Sequence, residues 1–148
     1  MRIEPRPFDD PEAAALRAEL EADVVVRYGF DNEPGVKPSA GDVAVFLVAV
    51  DDGVALGGGG LRLLGEGAAE IKRMWVRPAA RGQGVARALL AALEDEARSR
   101  GVTRMQIETG DRQHEAMALY ERAGYARCPC WGAYAEADDS VCFTRPLR

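Results

Sequence analysis

Apolar residues recur along the chain at helical spacing in three places. The most regular of these helices spans Gly82 to Gly101. Its apolar face repeats every four residues, at Val85, Leu89, Leu93 and Ala97. An earlier helix is predicted from Pro11, with Asp10 as its N-cap, to about Tyr28. A third is predicted from Asp111 or Arg112 to Ala123.

Runs of β-branched or alternating apolar residues predict strands between these helices. The predicted strands are Val43–Val50, Val54–Leu64, Ala69–Val76, Arg104–Thr109, Tyr125–Arg127 and Val141–Pro146, with Arg2–Phe8 as a further edge strand. The glycines at 57–60 interrupt the second of them, which indicates a bulge or a close approach of another group to the backbone. Loops are predicted at Gly29–Gly41 and Trp131–Ser140. This order predicts an α/β or α+β layer, with helices covering a sheet.

The length of 148 residues fits one domain over residues 1–148, and an apolar content of 47% can supply its core. No apolar stretch is long enough to cross a bilayer, and the N-terminus lacks the apolar region of a signal peptide. We therefore expect a cytoplasmic protein with no membrane partner. The net charge is −5 and the basic residues form no stripe, which argues against nucleic acid as a partner.

The three cysteines, Cys128, Cys130 and Cys142, are odd in number and confined to the last quarter of the chain. This usage predicts free thiols and no disulfide framework. The spacing of Cys128-Pro-Cys130 does not match a common zinc pair, so no metal is expected.

The segment from Val76 to Ala86 joins a predicted strand to the most regular helix. A strand, a glycine-containing turn and a helix start form a site for phosphate, because unpaired amides and the helix dipole both favour an anion. Gly82 and Gly84 let the backbone approach a ligand closely, and Arg81 adds a charged donor. The segment lacks the Gly-Lys-Ser/Thr ending of a P-loop and the full dinucleotide fingerprint.

Read as Arg81-x-x-Gly84-x-Ala86, the segment resembles the coenzyme A signature of the GNAT superfamily of N-acetyltransferases, (Gln/Arg)-x-x-Gly-x-(Gly/Ala). Upstream, Ala69–Val76 looks like the fourth strand of that family, and downstream Ile107–Thr109 looks like the fifth. The stretch from Gln113 to Tyr125 is similar to the motif that closes the cofactor site, with glutamine where asparagine is more usual. The resemblance covers about residues 42–127.

The resemblance implies a mixed, mostly antiparallel sheet of about six or seven strands, splayed between the fourth and fifth and flanked by about four helices. Acetyl-CoA is the implied cofactor. Backbone groups of Met74 and Val76 would bind its pantetheine arm, and the amides of residues 82–86 its pyrophosphate. The predicted cofactor-binding residues are Met74, Trp75, Val76, Arg81, Gly82, Gln83, Gly84, Val85, Ala86 and Gln113.

Attack of an amine on a thioester needs a base, because an amine with a pKa of about 10.4 is protonated at neutral pH. The departing thiolate benefits from an acid that protonates it. The resemblance assigns the base to Glu70 and the acid to Tyr120. The alternatives are a solvated strand residue at Glu70 and a core aromatic at Tyr120. His114 is expected to be exposed in a first helical turn, and acetyl transfer through Cys128 or Cys130 fits the family less well than direct attack in a ternary complex.

In the resembled family the acceptor contacts segments that correspond to Arg27–Pro38 and Trp131–Ser140. The predicted substrate-binding residues are Arg27, Tyr28, Arg73 and Tyr134. Arginines suit an acceptor with a carboxylate or phosphate, and ordinary surface charge is the alternative explanation. The sequence thus predicts an acetyl-CoA-dependent N-acetyltransferase acting on a primary amine of a small molecule or a protein. A non-catalytic acyl-CoA-binding sensor is the alternative, and a homodimer, common in that family, is compatible with either.

Overall fold

The structure is a computed structural model that describes residues 1–30 and 37–148. These residues form seven strands and three α-helices. The strands are β1 Arg2–Arg6, β2 Val45–Asp51, β3 Val54–Gly65, β4 Ala68–Val76, β5 Arg104–Gly110, β6 Ala126–Cys128 and β7 Ser140–Pro146. The helices are α1 Pro11–Tyr28, α2 Val85–Ser99 and α3 His114–Arg122, with short 3₁₀ helices at Pro78–Ala80 and Gly132–Glu136.

All seven strands join one sheet in the order β1-β2-β3-β4-β5-β7-β6. Neighbouring strands are antiparallel except β4 and β5, which run parallel. That parallel pairing extends only from Ala68 opposite Arg104 to Ile71 opposite Ile107. Both strands continue beyond this point without pairing to each other, so the sheet opens into a fork between them.

The sheet is covered on both faces. Successive strand residues point to opposite faces, and the glycine run shows which helix lies on each: a Cβ built on Gly58 would meet Leu16 of α1, and one on Gly59 would meet Leu93 of α2. The larger core lies on the α2 face and includes Tyr120 of α3. The apolar face predicted for α2 is confirmed, because Val85, Leu89, Leu93 and Ala97 are all buried.

The glycines of β3 permit close packing against both neighbouring strands and both helices. A Cβ on Gly57 would lie 2.6 Å from the carbonyl oxygen of Trp75 on β4. One on Gly58 would lie 2.9 Å from the ring of Phe46 on β2. The register of β3 against β4 also shifts at Gly58–Gly60. Both explanations offered by the sequence, a bulge and a close approach, therefore hold here.

The predicted helix boundaries are accurate where local signals set them. Asp10 caps α1 by accepting hydrogen bonds from the amides of Glu12 and Ala13, and Gly29 ends the helix in the left-handed conformation. In contrast, α2 begins at Val85 and not at the predicted Gly82. Gly82 and Gly84 have φ values of 76° and 80°, which a right-handed helix does not accommodate.

The predicted fold class is confirmed as a mixed, mostly antiparallel sheet with helices on its faces. About four helices were expected, and the described residues contain three α-helices with two short 3₁₀ helices. The predicted loop Gly29–Gly41 includes residues 31–36, which lie outside the described residues. No helix in the described ranges is long and apolar enough to cross a bilayer.

The prediction that all cysteines are free is wrong for two of them. Cys130 and Cys142 form a disulfide, with their Cα atoms 5.3 Å apart, and Cys128 is the free thiol. The pairing of β6 with β7 places Cys128 opposite Cys142. Cys130 follows just beyond the end of β6 and therefore also lies close to Cys142. This proximity depends on strand pairing, which counting cysteines could not show.

Candidate active site

The turn before α2 has the backbone features of an anion-binding cradle. Gly84 precedes the first residue of α2, and no side chain caps that end of the helix. The first amides of the helix are therefore available to a ligand, and the dipole of a helix this long favours negative charge there. Arg81 is anchored behind the cradle, since its Nε donates to the carbonyl oxygen of Val76 at 3.0 Å and its guanidinium lies 4.7 Å from the Trp75 ring.

The end of β4 is displaced from its neighbour by a bulge. Between the pairs Gly58–Trp75 and Gly60–Lys72, β4 contains one residue more than β3. Arg73 lies within that bulge with φ of 57°, in the left-handed region that non-glycine residues rarely adopt. Its guanidinium is 3.8 Å from Glu21 of α1. The bulge lies just beyond Ile71, where the pairing of β4 with β5 ends.

Two cavities occupy this fork. The larger, of about 560 Å³, is lined by nine of the ten predicted cofactor-binding residues. The tenth, Gln83, is exposed and donates a hydrogen bond to the carbonyl oxygen of Ala79. The smaller cavity, of about 110 Å³, lies between α1 and the ends of β4 and β5. It is lined by Glu21, Lys72, Arg73 and Glu108 among other residues.

The two cavities meet at a shared set of side chains. These are Leu20, Met74, Gln113, Ala116 and Tyr120. A group that enters from the larger cavity and a second molecule in the smaller one would therefore come together beside Tyr120. This meeting point is where the site could bring two reactants into contact.

Tyr120 lines this meeting point and has a buried ring. The ring packs against Tyr125 and Phe143, and its residue is 6% exposed. Burial, with a smaller contribution from the charge of Glu108, raises the pKa of Tyr120 well above its usual value. Within the described ranges, no hydrogen bond engages its hydroxyl. Tyr120 is therefore a protonated donor at neutral pH.

Glu70, the predicted base, lies behind the smaller cavity and does not line either cavity. The residue is 1% exposed. Its Oε2 accepts a hydrogen bond from the Tyr134 hydroxyl at 2.8 Å, and that hydroxyl accepts one from Lys72 Nζ at 2.7 Å. Arg62 lies 3.5 Å from the other carboxylate oxygen. Of these three partners of Glu70, Lys72 lines the smaller cavity, and its Nζ is 3.7 Å from Glu70 Oε2. Tyr134 is buried and lines neither cavity.

The carboxylate that faces the smaller cavity from β5 is Glu108. Its Oε2 accepts a hydrogen bond from the Ser140 hydroxyl at 2.7 Å. Tyr120 and Glu108 both line this smaller cavity. The sequence contained one signal for Glu108: Met105 and Ile107 occupy the core side of β5, so Glu108 must point to the other face.

Arg27 and Tyr28 form a clamp that joins the end of α1 to the turn after β5. The backbone amide of Arg112 donates to the Tyr28 hydroxyl at 2.8 Å, and the Arg112 guanidinium donates to the carbonyl oxygen of Arg27 at 2.9 Å. Arg27 in turn donates to the carbonyl oxygen of Arg112 at 3.2 Å. We call these contacts the α1 clamp. Arg27 lines the larger cavity, whereas Tyr28 lines neither.

The clamp requires a glycine at position 110. A Cβ there would lie 2.7 Å from Cζ of the Tyr28 ring, which is closer than van der Waals contact allows. The predicted acceptor segment Arg27–Pro38 is only partly described, because residues 31–36 lie outside the described ranges.

Comparison with known proteins identifies relatives along most of the chain. Residues 10–125 match the family model described as Acetyltransferase (GNAT) family. An IAA acetyltransferase from Azospirillum brasilense is 40% identical over 103 residues, which cover 69% of this chain and 67% of that protein.

Solved structures show the same fold. A Klebsiella pneumoniae subsp. pneumoniae protein described as an acyl-CoA N-acyltransferase superposes with a TM-score of 0.85 at 34% identity, over 99% of this chain and 97% of that one. A GNAT family acetyltransferase from Elizabethkingia anophelis, solved with acetyl-CoA bound, has a TM-score of 0.73 at 18% identity. That alignment covers 99% of this chain and 97% of the other.

Proposed function

Because the chain belongs to the acetyltransferase (GNAT) family, we propose that it transfers the acetyl group of acetyl-CoA to a primary amine of a small molecule or a protein. The amine attacks directly, with both substrates bound. The observation that carries this proposal is the meeting of the two cavities beside Tyr120. A cofactor in one cavity and an acceptor in the other would share this residue.

The larger cavity fits coenzyme A in shape and in donor groups. Its cradle has open space around Gly82 and Gly84, and both glycines have positive φ, so that any side chain there would strain the turn. The amides at the start of α2 would hold the pyrophosphate, and backbone groups of Met74 and Val76 would hold the pantetheine arm. Acetyl-CoA supplies an acyl thioester, which an amine attacks with release of the thiol.

Tyr120 is our candidate for the acid that protonates the departing thiolate. A buried phenol with a raised pKa keeps its proton at neutral pH. The departing thiolate takes this proton only if it is a stronger base than the tyrosinate, which requires that the thiolate be poorly solvated. The buried position of Tyr120 favours such poor solvation. Its neighbours hold the ring through packing, so the hydroxyl can reorient toward a ligand.

Glu108 is our candidate for the group that accepts the amine's proton. It lines the smaller cavity, where the amine would enter, and Ser140 fixes one of its oxygens. Glu70 was the residue predicted for this role, but its carboxylate is separated from the cavity by Tyr134 and Lys72. We assign Glu70 to the positioning of Lys72. The proton would move from the ammonium to a Glu108 oxygen, directly or through one water.

The smaller cavity has mixed charge, with Glu21 and Glu108 among its acids and Lys72 and Arg73 among its bases. Such a lining favours an acceptor that bears an anionic group as well as the amine. With a volume of about 110 Å³, the cavity would hold the reactive end of the acceptor, while the remainder would extend outward.

The test combines binding with turnover. Acetyl-CoA is titrated by calorimetry, and thiol release is then followed across a panel of primary amines that includes amino acids, polyamines and peptides. IAA is added as a separate candidate, because a relative is described as an IAA acetyltransferase. Amine-dependent thiol release is the expected result. Binding without release for any acceptor would favour the acyl-CoA sensor, and the absence of binding would contradict the assignment of the cradle.

Tyr120→Phe and Tyr125→Phe form a matched pair for the acid. We expect Tyr120→Phe to lower kcat by about 10²-fold or more, the usual range for a lost proton transfer, with little change in stability. Tyr125→Phe removes the bond from the Tyr125 hydroxyl to Glu94, at 2.8 Å, and should lower the free energy of unfolding by about 1–3 kcal/mol while kcat is retained. Equal kcat values for the two variants would exclude Tyr120 as the acid.

Glu108→Gln and Glu70→Gln distinguish the two carboxylates. Glu108→Gln should lower kcat at neutral pH by about 10²-fold or more, because an amide cannot accept the proton. Glu70→Gln should act chiefly on KM for the acceptor, through Lys72. A larger loss of kcat in Glu70→Gln would restore Glu70 as the base.

A further inference from the structure

The disulfide between Cys130 and Cys142 closes a segment that borders the smaller cavity. Cys142 is buried in β7, and Cys130 lies beyond the end of β6. The two residues are 12 positions apart, and the chain between them contains the 3₁₀ helix Gly132–Glu136. We call residues 131–141 the tethered segment.

Two hydroxyls of the tethered segment reach side chains that line the cavity. The Tyr134 hydroxyl accepts a hydrogen bond from Lys72 at 2.7 Å and donates one to Glu70 at 2.8 Å. The Ser140 hydroxyl donates to Glu108 at 2.7 Å. One segment therefore fixes both a cation and a carboxylate of the acceptor cavity.

Residues 131–139 of the tethered segment have little regular structure to hold them in place, whereas Ser140 and Val141 begin β7 and pair with β5. One backbone bond, from the amide of Asp111 to the carbonyl oxygen of Asp139 at 2.9 Å, joins these residues to the turn after β5. The 3₁₀ helix of the segment is a short element with poorer hydrogen-bond geometry than an α-helix. Its internal backbone bonds run from Tyr134 to Trp131, from Ala137 to Tyr134 and from Ser140 to Ala137, and none joins the helix to the sheet. A covalent closure of such a loop removes conformations that it would otherwise sample.

We propose that the Cys130–Cys142 disulfide positions Tyr134 and its contact with Lys72 at the acceptor cavity, so that reduction of this bond weakens acceptor binding and acetyl transfer. The proposal rests on the proposed function, because it describes the regulation of the same site. It makes the enzyme's activity dependent on the thiol redox state of its surroundings. Acetyl-CoA binding should not depend on the tethered segment, because the side chains that the segment holds, Lys72 and Glu108, line the smaller cavity and not the larger one.

The reduction is an ordinary thiol–disulfide exchange with a dithiol. A thiolate of the dithiol attacks the sulfur of Cys130, which is partly exposed, and displaces the Cys142 thiolate. The second thiol of the reagent then closes a ring and releases Cys130. Two electrons and two protons pass to the protein, which gains two thiols, and the dithiol becomes a cyclic disulfide. Cys128, directly opposite Cys142, is the third thiol near this bond.

The experiment compares the oxidised protein with protein reduced by dithiothreitol, in wild type and in Cys130→Ser. Cys128→Ser is the matched control, because it removes a neighbouring thiol and leaves the disulfide intact. Thiol titration of denatured protein should give one free thiol before reduction and three after it, as the bonding of the cysteines requires. Three thiols before reduction would overturn the proposal at once.

Two readouts then follow reduction. We expect hydrogen exchange to rise in residues 131–141 and to stay constant in α2. We also expect KM for the acceptor to rise about tenfold, the scale on which small displacements of a bound reactant act, with Kd for acetyl-CoA unchanged. Cys130→Ser should have the reduced values with or without dithiothreitol, and Cys128→Ser should respond as wild type does.

Unchanged hydrogen exchange in residues 131–141 after reduction would overturn the proposal that the disulfide orders this segment, whether or not the protein is active. Increased exchange with unchanged acceptor kinetics would show that the segment does not position the site. If neither redox state transfers acetyl to any amine, the proposed function fails, and the exchange data still decide whether the disulfide orders the segment.

Discussion

Gly57→Ala should destabilise the protein and weaken its cofactor site together. The added Cβ would lie 2.6 Å from the carbonyl oxygen of Trp75 and 3.1 Å from Cα of Val76. Both are backbone atoms of β4, so rotating a side chain cannot relieve the contact. Overpacking of this kind costs about 1–3 kcal/mol. Alanine regains about 0.5–1 kcal/mol over glycine within a strand. From the middle of these two ranges, the net loss in the free energy of unfolding should be about 1.3 kcal/mol.

The same displacement acts on ligand binding, because Trp75 and Val76 line the larger cavity. If β4 moves to accommodate the new methyl group, the backbone that would hold the pantetheine arm moves with it. We expect Kd for acetyl-CoA to rise about tenfold. Urea denaturation measures the first effect, and calorimetry of the folded variant measures the second.

Gly59→Ala is the matched control two residues along the same strand. Its Cβ would lie 3.1 Å from Cδ1 of Leu93 and 3.3 Å from Cγ of Met74, both side-chain atoms that can shift. The gain from alanine should therefore offset the crowding, and stability should change by no more than about 0.5 kcal/mol. Equal stability of the two variants would refute the reasoning, as would an unchanged acetyl-CoA Kd in Gly57→Ala.

Three further predictions follow from described contacts. Burial raises the pKa values of Tyr120 and Tyr125, so the folded state keeps protons that the unfolded chain loses near about pH 10. The free energy of unfolding should therefore fall above that pH. In a spectrophotometric titration, neither phenol should ionise until the protein unfolds. Gly110→Ala should open the α1 clamp and increase hydrogen exchange at the end of α1, without effect on α2. Hydrogen bonds from Arg77 hold the pKa of Glu19 below its usual value of 4.5, and this adds stability above pH 4.5 that is lost as the pH falls. In urea denaturation at several pH values, the free energy of unfolding of Glu19→Gln should therefore fall less in acid than that of the wild type.

Local sequence signals predicted most of the fold. The bounds of α1 follow from Asp10, Pro11 and Gly29, each of which acts on its own end of the helix. The regular spacing of apolar residues identified the buried face of α2 without reference to any other part of the chain. The start of α2 was placed too early because the same glycines suit a helix start and a left-handed turn, and only the backbone angles distinguish them.

The environment of the site depended on contacts between distant residues. Glu70 reads as a candidate base from its strand position, but Tyr134, 64 residues later, determines its hydrogen bonding. The alternation of side chains along β5 predicts that Glu108 points away from the core. That Glu108 borders a cavity follows from where the pairing of β4 with β5 ends, which the sequence does not show. The disulfide likewise depends on how β6 and β7 pair.

The fork between β4 and β5 also bears on how long the folded chain survives. Beyond Ile71 and Ile107 the two strands no longer satisfy each other's backbone groups, so water or a ligand must do so. A ligand that binds only the folded chain adds about 2.7 kcal/mol of stability at a concentration 100 times its Kd. Copies that lack a ligand should then unfold and be degraded more often. The cellular supply of acetyl-CoA would thereby influence the abundance of this protein as well as its rate of turnover of substrate.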